Sequence, residues 1–498
     1  MLKEKKELTL LLTKIINRDI SLSKSIESNP KITGIDFDSR KIKKGMMFAA
    51  INGKTNNGID FCDKALKAGA NSILCNRKDL KKVFKKKANI LTTNNVRLSV
   101  SIIIKKLFPK QPKNIVAITG TNGKTSIAFY LKGIWKAANV SSASIGTLGI
   151  IYQNKKIPLN LTTPDPITLH KRVDELKSKG INNIVLEASS HGIEQNRIDA
   201  LRINRAVFSN LSRDHLDYHQ TLDSYFKAKK RLFSDILETN GLAIVNNDCK
   251  YGRKIESFCK RKKIKVFTYG TKKADWKINK VFFCKSFSKV HISVLEKSYS
   301  FKCRFFACYQ IENLVCSMLI AYSYNFPLKK IIKWVEKIKE PPGRLEKINF
   351  KSNKSAIYID YAHTPEALKI NLTQLRENLK SSGRLKVLFG CGGDRDIGKR
   401  AQMAKNASNL ADEVYITDDN PRYENPKKIR DQISLHCKKA FVIANRKNAI
   451  KFAIKKLEKH DILLVAGKGH EKFQEINGKK YSFDDKEVVR DAIREIEV

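Results

Sequence analysis

Asn114-Ile-Val-Ala-Ile-Thr-Gly-Thr-Asn-Gly-Lys-Thr-Ser126 is the stretch from which the rest of the chain can be read. The apolar run Ile115 to Ile118 predicts a buried parallel strand, which breaks into a glycine turn; Lys-Thr-Ser then opens a helix. Strand, Gly-rich turn, Lys-Thr and helix, in that order, hold the phosphates of a nucleotide. Gly120 and Gly123 let the backbone N–H groups of the Gly120-Thr-Asn-Gly-Lys-Thr-Ser126 loop approach phosphate oxygens. Lys124 brings a point charge toward the β and γ phosphates, and Thr125 offers a hydroxyl to Mg²⁺. The spacing Gly-x-x-Gly-Lys-Thr is two residues shorter than the common Gly-x-x-x-x-Gly-Lys-Ser/Thr loop, and an ordinary strand–helix turn is the alternative.

The chain of 498 residues is too long for one ordinary domain, and its 42% hydrophobic content suffices for several cores. The net charge of +48 fits a nucleic-acid binder, an enzyme steering polyanionic substrates inward, or a general lysine bias. Basic residues run from Lys3 to Arg494 without a tail or stripe, and neither zinc-finger spacing nor an RNP-type aromatic signature accompanies them. Lysine bias on solvated faces is therefore the preferred reading. The ten cysteines form no Cys-x-x-Cys pair and no disulfide framework, so a reducing compartment is expected. The start Met1-Leu-Lys-Glu-Lys-Lys-Glu7 leads into an apolar run too short for a signal core, and no segment reaches the ~18 apolar residues of a membrane span.

Three units are expected. Residues 1–110 hold the strands Gly45–Ile51 and Ser72–Cys75 and a helix Phe61–Ala68, closed by the linker Phe108-Pro-Lys-Gln-Pro112. Residues 111–342 alternate helices with strands at Ile115–Ile118, Ile184–Leu186, Ala206–Phe208 and Leu242–Val245, which predicts a helix-covered parallel sheet. Residues 343–498 repeat the doubly wound pattern, with strands at Ala356–Ile359, Lys386–Phe389, Glu413–Thr417, Phe441–Ala444 and Ile462–Val465. The fold class is α/β throughout.

Chemistry concentrates where strands end. Glu187 closes the run Ile184-Val-Leu-Glu187, at the sheet edge where ligands bind in open parallel sheets. It reads either as a Mg²⁺ ligand or as an acid satisfied by local N–H groups. Asn210-Leu-Ser-Arg-Asp-His-Leu-Asp-Tyr-His219 follows another strand; His215 could ligate a metal or orient a ligand, and His219 could do either or neither. The next helix, Leu222–Leu237, has apolar positions Leu222, Phe226, Phe233 and Ile236 with a gap that Lys229 fills. A lysine on a buried stripe snorkels to the surface, meets anions, or is chemically changed, for example to a carbamate. Downstream, strand exits carry Ile359-Asp-Tyr-Ala-His-Thr-Pro365, Phe389-Gly-Cys-Gly-Gly-Asp-Arg-Asp396, Thr417-Asp-Asp-Asn-Pro-Arg422 and Ala466-Gly-Lys-Gly-His-Glu471. Arg395 and Arg422 suit carboxylates and Glu471 an ammonium, so together they would recognise a zwitterion with more than one carboxylate. Taken singly, each reads as a surface charge.

In this order the motifs resemble the Mur ligase family over nearly the whole chain: Thr119–Thr125, Asp214–His219 followed by Ala228-Lys229, Pro342-Gly-Arg-Leu-Glu346 and Asp360–Pro365. The resemblance implies an N-terminal unit for the UDP substrate, a central ATP-binding unit and a Rossmann-like amino-acid unit. It implies a carbamylated Lys229, with Lys124, Lys229 and His215 catalytic and Thr125, Glu187, His215 and Lys229 holding Mg²⁺. Nucleotide contacts are expected from Asn313, Arg344, Asp360 and His363, besides the loop. Asp38-Ser-Arg40 resembles the uridine-side motif, with contacts from Phe37 and Ser39, and Thr162, Thr163, Ser189, Gln195 and Arg197 match muramoyl-peptide contacts. Asp419-Asn-Pro-Arg422 is the pattern of members that add meso-diaminopimelate rather than lysine, and Arg395, Asp419, Asn420, Pro421, Arg422, Gly467 and Glu471 form that amino-acid site. Ser126, Leu161 and Leu345 depart from the family's Thr, Asn and Met at those places. The implied activity is ATP-dependent addition of meso-diaminopimelate to UDP-N-acetylmuramoyl-L-alanyl-D-glutamate by a cytoplasmic monomer without nucleic-acid or membrane partners. A lysine-adding member, a folylpolyglutamate synthase-like ligase and a basic nucleic-acid-dependent ATPase are the alternatives.

Overall fold

The computed structural model describes residues 10–497 apart from 28, 54, 55, 285, 286, 351–353 and 438. The basic Met1–Glu7 start, with Lys3, lies outside the described residues. Three large sheets follow one another along the chain. A five-stranded sheet spans residues 20–93, an eleven-stranded sheet residues 114–303, and a six-stranded sheet residues 346–466.

The quoted stretch forms strand β1 (Asn114–Thr119) and helix α1 (Lys124–Ala137). Successive strand residues point to opposite faces, and here both faces are covered. Val116 and Ile118 enter one hydrophobic cluster, which holds Trp135 of α1, while Ile115 and Ala117 enter the other. That double burial is why the run reads as continuously apolar. Strand β2 (Asn183–Glu187) and strand β3 (Ile203–Phe208) flank β1 on either side, both parallel to it. Ile118 lies opposite Glu187, and Thr119 opposite Phe208, so the three strands end level. The loop after β1, the Glu187 carboxylate and the segment after β3 therefore meet at one edge.

The central sheet is not parallel throughout, as its strand–helix alternation predicts. Antiparallel pairs extend both edges, Ser142–Gly146 with Gly149–Tyr152 on one side and Trp276–Phe283 with Ser288–Val294 and Lys297–Cys303 on the other. The predicted helix 222–237 also differs. Helix α2 covers Leu222–Arg231, a wider π-helical turn runs over Leu232–Ile236, and strand β4 (Leu237–Asn246) begins at the next residue. Leu222 is exposed, and Tyr225 with Phe226, Phe233 and Ile236 makes the buried stripe instead. The Thr221 side chain accepts from Ser224 N and fixes the first turn, leaving Leu222 on the outer side.

In the third sheet, strands β5 (Ser355–Asp360), β6 (Leu385–Phe389), β7 (Glu413–Ile416) and β8 (Ile462–Ala466) are parallel in the order β5-β8-β6-β7, with antiparallel Glu346–Phe350 beyond β5. Asp360 pairs with Ala466 and Phe389 with Ile416, so Tyr361, Gly390, Thr417 and Gly467 all leave one edge. A hairpin, Phe473–Ile476 with Lys479–Ser482, stands over that edge.

Candidate active site

The phosphate loop is braced by the segment after β3. Thr121 N donates to Asn210 O at 3.0 Å and Asn122 N to Asn210 Oδ1 at 2.9 Å. Gly123 has φ 90°, and a Cβ there would come within 2.6 Å of Asn313 Oδ1, so only glycine fits this turn. Asn313 lies on helix α3 (Cys308–Tyr322), which packs against α1. Lys124 turns back on its own loop and donates to Gly120 O at 2.7 Å and Thr121 O at 2.8 Å. Burial lowers its pKa.

Glu187 is 2% exposed and accepts from Thr125 Oγ1 at 2.9 Å, Thr147 N at 2.9 Å and Thr147 Oγ1 at 3.0 Å. The local-acid reading and the metal reading thus meet in one carboxylate whose neighbours are hydroxyls. Arg344 Nη2 donates to Thr125 Oγ1 at 3.2 Å, which brings the chain between the second and third sheets to the same point. Oxygen donors from Thr125 and Glu187 suit Mg²⁺, which takes its remaining ligands from phosphates and water. Among the described residues no group of three or more His, Cys, Asp or Glu side chains stands ready to hold a metal unaided.

His215 has φ 54°, and its Nε2 lies 3.4 Å from Asp214 Oδ2. Burial pushes its imidazole down to about 3, so the ring is a neutral donor atom near neutral pH. The same Asp214 oxygen lies 3.9 Å from Nε2 of His363, on the third unit. Burial raises the Asp214 carboxyl, but the two imidazoles and Lys399 outweigh it and hold it down at about 2. His219 turns away: its Nε2 is 2.9 Å from Ser190 Oγ and its Nδ1 3.3 Å from Glu194 Oε2, so it braces helix packing.

Lys229 does not snorkel. The residue is 1% exposed, its Nζ donates to Gly120 O at 2.9 Å, and the ammonium rests 4.4 Å from the centre of the Tyr225 ring. No carboxylate ion-pairs with it among the described residues. Burial, with the neighbouring Lys124 charge, drives its pKa well below the ordinary lysine value.

The third unit completes the cavity, of about 740 Å³, in which Lys124, Thr125, Glu187 and His215 face Arg395, Asn420, Arg422 and Glu471. Asn313, Arg344, Asp360, His363, Asp419 and Gly467 also line it. Asp360 accepts from Leu345 N at 2.6 Å and Ala362 N at 2.7 Å, and burial raises its pKa despite nearby Arg344. Arg422 has φ 51°; its Nη1 donates to Gly393 O at 2.7 Å and its Nε lies 3.3 Å from Glu475 Oε2 of the hairpin. Gly467 has φ 116°, and a Cβ there would meet Asp419 Oδ2 at 2.3 Å. Arg395 Nη1 stands 4.0 Å from Asp217 Oδ2 of the central unit.

The expected peptide contacts form one hydrogen-bonded run. Thr162 and Ser189 line the cavity. Thr163 Oγ1 donates to Glu187 O at 2.8 Å, and Arg197 donates to Thr163 O at 2.7 Å and to Gln195 Oε1 at 2.6 Å. Gly120, Thr163, Gln195, Arg197, Lys229 and Pro421 are not among the residues that line the cavity. Phe37 and Ser39 belong to the first sheet's unit, apart from the cavity; Phe37 is exposed and Ser39 buried. Asp38 beside them accepts from Arg40 Nε and Nη2 at 2.9 Å, and this fork holds its carboxyl at about 2. Sequence reasoning passed over Thr147 and assigned no role to Asn210 and Tyr361 within the stretches that hold them. Each follows a strand that ends at a ligand edge, the signal by which Glu187 is found.

Three family models match the chain: "Mur ligase family, catalytic domain" over residues 31–107, "Mur ligase middle domain" over 118–321, and "Mur ligase, glutamate ligase domain" over 343–469. A protein of Rickettsia rickettsii named UDP-N-acetylmuramoyl-L-alanyl-D-glutamate--2,6-diaminopimelate ligase is 36% identical over 478 residues, covering 95% of this chain and 98% of its own. A solved structure of a protein with that name superimposes with a TM-score of 0.69 at 31% identity, over 98% of this chain and 100% of the other. The fold is also shared with a MurF ligase of Thermotoga maritima solved in complex with ADP, with a TM-score of 0.62 at 17% identity over 93% and 97% of the two chains.

A side chain at Gly123 must strain the left-handed turn or displace Asn313. The turn alone costs about 1–2 kcal/mol. Gly123→Ala should therefore weaken ADP binding about tenfold. Calorimetric titration with ADP checks this, and unchanged affinity would show that the loop does not carry the nucleotide.

Proposed function

The chain belongs to the Mur ligase family, and on that premise we propose that it adds meso-diaminopimelate to UDP-N-acetylmuramoyl-L-alanyl-D-glutamate with cleavage of ATP to ADP and phosphate, in the synthesis of a peptidoglycan precursor. One observation carries the reading: a single cavity is lined by the phosphate loop and Glu187 on one side and by Arg395, Asn420, Arg422 and Glu471 on the other. A nucleotide that activates a carboxylate and an amino acid that consumes it need such a shared chamber. The three units are assigned as 1–110 for the UDP moiety, with Phe37 and Ser39, 111–342 for ATP and 343–498 for the amino acid.

In this reading the D-glutamate carboxylate attacks the γ-phosphorus of ATP, giving an acyl phosphate and ADP. The amine of diaminopimelate then attacks the acyl carbon, the C–O bond to phosphate breaks, and the amine proton is lost to solvent or a nearby base. Lys124 leaves its loop carbonyls for the transferring phosphoryl group, and the loop N–H groups and the α1 N-terminus hold the phosphates. Thr162 and Ser189 orient the peptide carboxylate, and Arg197 braces them through Thr163, whose hydroxyl lies 2.9 Å from Ser189 Oγ. Asn313, Arg344, Asp360 and His363 close around the nucleotide, and the third unit excludes water that would hydrolyse the acyl phosphate.

Thr125, Glu187, His215 and Lys229 would hold Mg²⁺, which supplies neutralisation of charge on the phosphates. The donor set fits: a buried carboxylate, a helix-terminal hydroxyl, a neutral imidazole and a lysine that cannot stay charged cheaply. Burial and the Lys124 charge favour the uncharged form of Lys229, the form that takes up CO₂, and the resulting carbamate anion would remove the repulsion from Lys124. The selection of diaminopimelate over lysine falls to Arg395 and Arg422. Without the second carboxylate they keep only Glu475 and Asp217 as acidic partners, and the loss stays below the roughly 2–5 kcal/mol of a fully buried charge pair. The enzyme is read as a monomer of the cytoplasm acting on small molecules. Supporting this, the ten cysteines are all free, and no helix among the described residues is long and apolar enough to cross a membrane.

Phosphate release should require the UDP-dipeptide and diaminopimelate together, with lysine a poor replacement; ATP hydrolysis stimulated by DNA instead would overturn the assignment. Lys229→Ala should nearly abolish turnover, and bicarbonate with a short carboxylate should restore part of it. Full activity in that variant would refute the carbamate. Arg422→Ala should raise the KM for diaminopimelate by more than about tenfold and leave that for ATP within a factor of about two; equal shifts would remove Arg422 from the amino-acid pocket.

A further inference from the structure

The turn after β8 contains a cation that nothing above uses. Lys468 is 0% exposed and lies outside the cavity wall, directly behind Asn420 and Glu471, which do line it. Its Nζ donates to Asn420 Oδ1 at 2.9 Å and to Glu471 Oε2 at 3.4 Å. The backbone N–H of Glu475 also donates to Asn420 Oδ1, at 2.9 Å. An ammonium and a backbone N–H can only donate, so the amide atom facing both must be oxygen. That fixes the Asn420 orientation: Nδ2 points to Glu471 Oε2 at 3.0 Å. Among the described residues the other carboxylate oxygen, Oε1, has one weaker donor, Tyr361 OH at 3.3 Å, and remains the acceptor available to a bound amine.

From this arrangement, and resting on the reading of the third unit as the amino-acid site, we propose that Lys468 is the positioning residue for amine recognition, locking the Asn420 amide and holding Glu471 as a charged acceptor. A buried cation close to an ammonium-binding site is otherwise unfavourable, since like charges repel. Its benefit lies in the groups around Glu471. Burial and Asp419, on the segment after β7, raise the Glu471 pKa, while Lys468 and the Asn420 amide lower it. Tyr361, after β5, is a neutral phenol there, its own pKa raised by burial. Arg446 also faces the cluster, but both its Nε and Nη2 are taken by the Asp485 carboxylate at 2.8 and 2.7 Å. Lys468 is thus the cation in direct contact with Glu471. Without it, burial and Asp419 prevail, and Glu471 holds a proton at lower pH that it releases as pH rises.

The test compares the full-length wild type with Lys468→Met, Lys468→Gln and Lys468→Arg, measuring ADP release against diaminopimelate from roughly pH 6 to 9, the range spanning a raised carboxyl. In Lys468→Met the KM for diaminopimelate should rise about tenfold or more at the acid end and fall as pH increases, because amine binding needs the ionised carboxylate. The KM values for ATP and the UDP-dipeptide should stay within a factor of about two. Lys468→Arg should keep the wild type's flat profile. Lys468→Gln, which retains a neutral donor to Asn420, should show the same pH slope as Lys468→Met and serves if that variant does not fold. Equal changes in all three KM values, or a variant profile parallel to that of the wild type, would overturn the role of Lys468. Failure of the wild type itself to turn over diaminopimelate would instead overturn the function on which it rests.

Discussion

Two lysine side-chain nitrogens share one carbonyl oxygen at the carboxyl edge of the central sheet: Gly120 O accepts from Lys124 at 2.7 Å and from Lys229 at 2.9 Å. Like charges brought this close beneath a buried surface are held only if anions answer them or one of them is discharged. Much of the molecule follows from that constraint. The level ends of β1, β2 and β3 place the loop, Glu187 and the Asn210 segment around it. Lys124, partly exposed, can swing to a phosphate; Lys229, sealed under the loop, cannot leave. The two lysines therefore have different fates although they meet at the same atom, and the difference is set by burial rather than by distance.

A phosphate site alone would make an ATPase. What turns it into half of a ligase is the third unit, which reaches it through a few polar contacts. Arg213 Nε lies 3.0 Å from Asp396 Oδ2, Asp214 Oδ2 3.9 Å from His363, and Asp217 Oδ2 4.0 Å from Arg395, all from one short segment. The arginines and His363 are partly exposed, and such pairs contribute about 0–1 kcal/mol each. Elsewhere the join is firmer: Ala307 and Tyr309 pack into the third unit's hydrophobic cluster, and Cys308 N donates to Gln374 Oε1 at 2.9 Å. Arg344 adds the covalent hinge side: it touches Thr125 and packs its guanidinium 4.4 Å from the centre of the Tyr361 ring.

The parts of this site that are legible in the sequence are those where local chemistry and fold coincide. The strand Asn114–Thr119 is apolar because both its faces are buried, and the glycines after it have no other conformational use. Lys229 stands out because it interrupts an apolar stripe, though the stripe runs through Tyr225 rather than Leu222. The edge strands were harder to see. In Ser288–Val294 burial alternates residue by residue, so Lys289, His291 and Ser293 of the outer face dilute the hydrophobic signal. Lys468 was hidden by composition. In a chain with 97 Lys and Arg residues, a lysine in a glycine-rich turn reads as solvated, and only burial distinguishes it. Likewise, no local pattern shows that His219 turns to Ser190 while His215 four residues earlier faces the cavity.

Burial also bears on the meaning of the +48 charge. If the third unit's end of the cavity were simply part of a positive field, it would draw any anion and choose poorly among them. Three of its cations are instead matched with acids of the same unit, Arg422 with Glu475, Arg446 with Asp485 and Lys468 with Glu471, and Arg395 faces Asp217 of the central unit. Arg446 and Asp485 are fully buried and bind one another by two short hydrogen bonds, so they contribute rigidity and little external field. Near-neutral surroundings of fixed geometry favour a zwitterion whose charges fall at the right separations, and discriminate by unpaired groups rather than by net attraction. The excess positive charge lies outside these pairs, on solvated lysines, where salt screens it beyond ~8–10 Å. Selectivity inside the cavity and basicity outside it are therefore separate properties of the chain.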